Sequence, residues 1–82
     1  MALFRTPEGH LHALGNRDPF SGAMVLSRGI VGTRAGRPVV TSPMHKQAFC
    51  LDTGRCLDVD RVGVPVYGAR VRDGLVEVAL DR

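Results

Sequence analysis

Apolar and polar residues alternate along this chain in short bursts, and no stretch sustains the three-and-four spacing that a helix needs. The clearest burst is VYGARVRDGLVEVAL at residues 66–80, where Ala69 and Val71 precede Asp73-Gly74 and Val76, Val78 and Leu80 follow it. Arg70, Arg72 and Glu77 fill the alternate positions. An Asp-Gly pair in that setting predicts a tight hairpin with one apolar face and one face toward water. Further strands are predicted at Ala2 to Arg5 and His10 to Leu14 across the TPEG turn, and at Gly29 to Thr33 and Pro38 to Thr41 across RAGR. Gln47 to Leu51 and Arg55 to Leu57 form another pair around Asp52-Thr53-Gly54, whose glycine tolerates the positive φ of a turn. Ser21 to Ser27 suits a short helical turn. The pattern predicts an all-β fold built from antiparallel hairpins, one domain over residues 1–82 without repeat or linker.

Composition narrows the choices. A chain of 82 residues buries only about 60% of its unfolded surface, so its stability margin is thin. With three Phe, one Tyr and no Trp, the core is expected from Val, Leu, Ala and Met. Eleven Lys plus Arg against eight Asp plus Glu give a net charge of +3. The cations are scattered among acids as a solvated surface, and no basic stripe alternates with stacking aromatics, so the reading is no nucleic acid. Arginine's bidentate geometry keeps a protein interface in play. No apolar run is long enough to cross a membrane, and MALFRTPEGH lacks the features of a signal peptide, so the expected location is cytoplasmic. Cys50 and Cys56 are then reduced thiols, although CLDTGRC sets them on opposite arms of one turn.

Two loops carry the candidate chemistry. NRDPFSGA at residues 16–23 and TSPMHKQAF at residues 41–49 each hold a proline inside a short polar turn, and GIVGTRAGRPVV separates them. The layout resembles the Rieske iron–sulfur domain, in which one loop supplies Cys-Pro-His and the other Cys-Pro-x-His to a two-iron cluster. FCLDTGRC and PVYGARVRDGLVEV also fit that family. The resemblance implies a Rieske-like antiparallel sandwich or barrel of hairpins. The ligand positions, however, hold Asp18, Phe20, Ser42 and His45, and a phenylalanine has no lone pair to offer iron, so a conventional cluster is excluded. A zinc site from His45, Cys50, Cys56 and Asp18 or Asp52 lacks paired C-x-x-C spacing. The plainer reading makes both cysteines buried or half-buried thiols and His45 a polar loop residue.

Within that scaffold the chain resembles one family closely, the small subunit of the bacterial assimilatory NAD(P)H-dependent nitrite reductase. GNRDPFSGAMVLSRGIVG, SPMHKQAFCLDTGRCL and VPVYGARV carry the likeness, which runs from about Ala2 to Leu80. It implies an accessory subunit with no cofactor and no active site of its own. The implied partner is a large catalytic subunit carrying FAD, siroheme and iron–sulfur centres, which reduces nitrite to ammonium. Members of that family begin further upstream, so the chain is read as N-terminally shortened, with a sheet edge near Ala2 to Arg5 free for weak self-association.

The contact surface expected from the resemblance is the tip made by the two loops, with Arg17, Phe20, Met24, Arg28, Met44, His45 and Lys46 as its residues. Phe20 either stands out as an anchor or folds inward to fill the space a cluster would take, and the sequence leaves both open. Three rival readings are a stand-alone protein-binding module unrelated to nitrite, a metal-binding electron-transfer ferredoxin, and an enzyme. The last could draw on Cys50 with His45, or on Ser42 with His45 and Asp18, but no oxyanion pocket or oriented base is evident for either set.

Overall fold

Two of the predicted hairpins close on two-residue turns with left-handed backbone. Ala35 and Gly36 have φ of 53° and 78°, and Asp73 and Gly74 have φ of 52° and 79°. Two successive left-handed residues make the turn whose twist matches that of the flanking strands, and Gly or Asp tolerates it best. The computed structural model describes residues 1–44 and 46–79. Its strands are β1 (Ala2–Arg5), β2 (Leu11–Leu14), β3 (Ile30–Arg34), β4 (Arg37–Thr41), β5 (Ala48–Cys50), β6 (Val66–Arg72) and β7 (Leu75–Ala79), with a single 3-10 turn at Leu26–Arg28. No helix among the described residues is long and apolar enough to cross a membrane.

The strands form two antiparallel sheets, one ordered β1-β2-β6-β7 and the other β3-β4-β5. The three-stranded sheet is thus an excursion between β2 and β6, which pair through Ala13 with Tyr67 and Leu14 with Val66. Both sheets and the 3-10 turn contribute to one core of Ala2, Phe4, Leu14, Leu26, Val40, Phe49, Leu51, Cys56 and Val64. Among the described residues β1 and β7 are the outer strands of the larger sheet.

Several expectations need correction. Methionine does not build the core: Met1, Met24 and Met44 are all about half exposed or more, while Phe4 and Phe49 are buried. Two flat rings fill the gap between the sheets, and the methionines lie at the terminus and in the loops. Residues 55–57 form no strand of their own. Their pairing is split between Phe49 with Cys56 on one side and Arg55 with Gly63 on the other, because the chain turns back at Arg61, φ 65°. The helical turn falls at Leu26–Arg28, since Asp18 and Ser21 hydrogen-bond the backbone amides of Phe20, Ser21 and Ala23, holding that stretch in turns. In the β6–β7 hairpin Arg70, Arg72 and Glu77 face water as predicted, but Val71 and Val76 are exposed too. The hairpin outruns β2, so the core covers its apolar face only near Ala69 and Val78. Leu80 lies outside the described residues.

Candidate functional site

The two loops meet through side chains. In the first, Asn16 ties both ends together: its Oδ1 accepts from the Ser27 amide at 2.7 Å, its Nδ2 donates to the Met24 carbonyl at 3.2 Å, and its own carbonyl accepts from the Leu26 amide. Arg17 bridges Met24 across this closure. Gly22 turns the tip at φ 78°, and a Cβ there would lie 3.5 Å from the Arg17 guanidinium, which folds over it.

Asp18 sits at the centre and is fully buried. Its Oδ1 accepts from the amides of Phe20 at 2.8 Å and Ser21 at 3.3 Å, the Asx geometry that an Asp-Pro turn favours. Its Oδ2 accepts from the Ser42 hydroxyl of the second loop. Ser42, also fully buried, accepts in turn from the Met44 amide at 3.2 Å. The second loop closes on itself through the Ser42 amide with the Gln47 carbonyl and the Lys46 amide with the Ser42 carbonyl. Lys46 holds φ 64°.

Phe20 turns inward. Its ring lies 6.3 Å from that of Phe49, tilted by 47°, and it packs half-buried against the core. Of the other residues expected at a contact surface, Arg17, Arg28 and Lys46 are exposed, and Met24 and Met44 are 60% and 50% exposed. His45 lies outside the described residues. Sequence reasoning missed Ile30, which is 75% exposed beside Arg28 and opposite Thr41. The signal was present: Ile30 and Val31 are adjacent on a strand, so their side chains must point to opposite faces, and Val31 takes the core.

Cys50 and Cys56 are buried free thiols. Because Phe49 pairs with Cys56 and the Cys50 amide donates to the Arg55 carbonyl, their side chains leave opposite faces of the turn. Burial pushes the Cys50 thiol up, but the Thr53 hydroxyl and the Thr53 and Asp52 amides directed at its sulfur outweigh this and hold it below its ordinary value. Neither cysteine belongs to the two loops, and among the described residues no three His, Cys, Asp or Glu side chains gather as a metal site.

A profile of the Rieske-like [2Fe-2S] domain matches residues 1–79. The nitrite reductase (NADH) small subunit of Salmonella typhimurium is 40% identical over 79 residues, 95% of this chain and 73% of that protein. A crystal structure described as an NADH-dependent nitrite reductase small subunit from Mycobacterium tuberculosis superposes with a TM-score of 0.94 at 60% identity, covering 98% of this chain and 72% of that one. The nitrite reductase [NAD(P)H] large subunit of Klebsiella oxytoca contains a stretch 41% identical over 78 residues, 95% of this chain but 8% of that protein. The two-iron cluster in the profile's description does not fit the residues here. Such a cluster takes two thiolates and two imidazoles, whereas the facing positions hold a carboxylate and a hydroxyl spent on each other and on backbone amides, and a phenyl ring packed on Phe49.

Proposed function

The chain belongs to the Rieske-like family of nitrite reductase small subunits, and from that premise we propose that it is the accessory small subunit of an assimilatory NAD(P)H-dependent nitrite reductase. Its partner is the large catalytic subunit, in which FAD, siroheme and iron–sulfur centres carry out the reduction of nitrite to ammonium. The chain itself carries no redox group and no active site, and its contribution is made by its surface.

One observation carries this reading. A stretch of a nitrite reductase large subunit is itself similar to almost the whole of this chain. A domain that occurs both as a separate chain and inside the large polypeptide works beside the same catalytic core, since joining the two fixes at high effective concentration a contact that separate chains must form by binding. The stand-alone module unrelated to nitrite has no such support. Weak self-association through the sheet edge at β1 is a secondary property, read by sedimentation at rising concentration.

The test is co-purification of this chain with the large subunit of the same organism, with iron content and a visible spectrum measured on the isolated small chain. A colourless, iron-free chain that forms a stoichiometric complex is expected. Stoichiometric iron in the isolated chain, or no complex with an active large subunit, would overturn the proposal.

A further inference from the structure

Charge is unevenly divided along the chain. Between His10 and Leu51 it carries Arg17, Arg28, Arg34, Arg37 and Lys46 against a single carboxylate, Asp18. That carboxylate is fully buried and receives the Phe20 and Ser21 amides and the Ser42 hydroxyl. Asp58, which reaches this half from the following segment, is occupied by Arg34 at 2.8 Å and by the Ala48 amide. Among the described residues Arg34 pairs with Asp58 and Arg70 with Glu77, and His12 lies 3.8 Å from Asp52; Arg17, Arg28 and Lys46 take part in none of these contacts.

Each of those three cations has an exposed apolar residue beside it, by strand bridge or within two positions in the sequence. Met24 is joined to Arg17 by the backbone bridge. Ile30 follows Arg28 by two positions and lies opposite Thr41, the residue before Ser42. Met44 stands two residues before Lys46 and is fixed by its amide bond to Ser42. The bond between Asp18 and Ser42 holds both loops in one surface. An apolar centre with a cationic rim is the composition of a protein contact, and thioethers adapt to a partner's shape. A nucleic acid is the poorer fit because stacking platforms are missing: Phe4 and Phe49 are buried, Phe20 packs on Phe49, and the one tyrosine, Tyr67, belongs to β6 in the other sheet.

We infer that the face made by Arg17, Arg28 and Lys46 around Met24, Ile30 and Met44 docks on a surface of the large subunit whose apolar centre is bordered by carboxylates. This rests on the accessory-subunit reading and adds to it the face used and the chemistry of the surface it meets. Unpaired guanidinium groups select carboxylates by bidentate bonding. Like charges across such a contact oppose docking, so reversing the rim should abolish it.

The experiment measures binding of the purified full chain to the purified large subunit at about 0.05 M and about 0.5 M salt, which spans strong to weak screening. R17E/R28E/K46E is compared with R5E/R55E/R72E, which changes net charge equally away from the two loops, and with M24A/I30A/M44A. Circular dichroism verifies that each variant is folded, and single R28E substitutes for the triple if that variant unfolds. We expect the rim reversal to weaken binding about 100-fold or more, the control to stay within about threefold, and the apolar truncation to weaken it about tenfold or more. Wild-type affinity should fall as salt rises. A complex that forms in the wild type but is indifferent to the rim reversal, or loses as much in the control, overturns this inference and leaves the accessory-subunit reading standing. A wild-type chain that fails to bind removes both.

Discussion

The Ser42 hydroxyl donates to the buried carboxylate of Asp18, 24 positions earlier in the chain, across the gap between two loops. One hydrogen bond thus joins the two loops at their buried centre. Asp18 also organises its own loop through the Phe20 and Ser21 amides, so one carboxylate sets the shape of both loops and of the surface they carry.

Removing the carboxylate should therefore be severe. Asp18→Ala strands two amides and a buried hydroxyl, a loss of about 2–4 kcal/mol, and Ser42→Ala about 1–3 kcal/mol. The two share one bond, so the double variant should fall short of the sum by about 1 kcal/mol or more. Urea unfolding of the four proteins checks this, and simple additivity would show that the bond couples nothing.

Phe20 and the exposed methionines should part company. Phe20 packs on Phe49, so Phe20→Ala should lower stability by about 2 kcal/mol, below the range for a fully buried ring. Met24→Ala and Met44→Ala should each stay within about 0.5 kcal/mol of wild type. Thermal unfolding separates the classes, and a neutral Phe20→Ala would place that ring at the surface instead.

Much of this fold could be read from the chain because its signals are local. Asp73-Gly74 dictates its turn within two residues and Gly36 supplies one of the two left-handed positions of the other, and alternation predicted the strands around them. What could not be read was long-range. The inward turn of Phe20 depends on Phe49, 29 positions on in the sequence. The partial cover over Val71 and Val76 follows from β2 being four residues long against seven in β6, a mismatch invisible within either strand. The two loops were located by their Asp-Pro and Ser-Pro turns, but that Asp18 and Ser42 are buried partners emerges only when two separate turns are set face to face.

The two cysteines should resist joining. Their side chains leave opposite faces of the turn around Asp52-Thr53-Gly54, and a disulfide needs Cβ atoms about 3.8 Å apart and directed at one another. Native protein held with oxidised glutathione should keep both thiols, while the same treatment in denaturant should yield the internal bridge. Mass spectrometry after alkylation reads both, and a native bridge formed without loss of fold would contradict the strand pairing.

Asp58 gives the acid response a sign. The Ala48 amide first, and the Arg34 guanidinium second, hold its carboxyl below the ordinary 3.8, against a slight opposing push from burial. A carboxyl whose folded pKa is depressed contributes stability that is present above its unfolded value and is lost as pH falls through the folded one. Replacing it with alanine frees the Ala48 amide and the Arg34 partner, so Asp58→Ala should lose about 1 kcal/mol at neutral pH. The difference from wild type should shrink as pH drops from about 5 toward about 2, because protonation removes the same charge that the substitution removes. Thermal melts of both proteins across that range test the sign, and parallel curves would mean that the carboxylate bears no net load in the folded state.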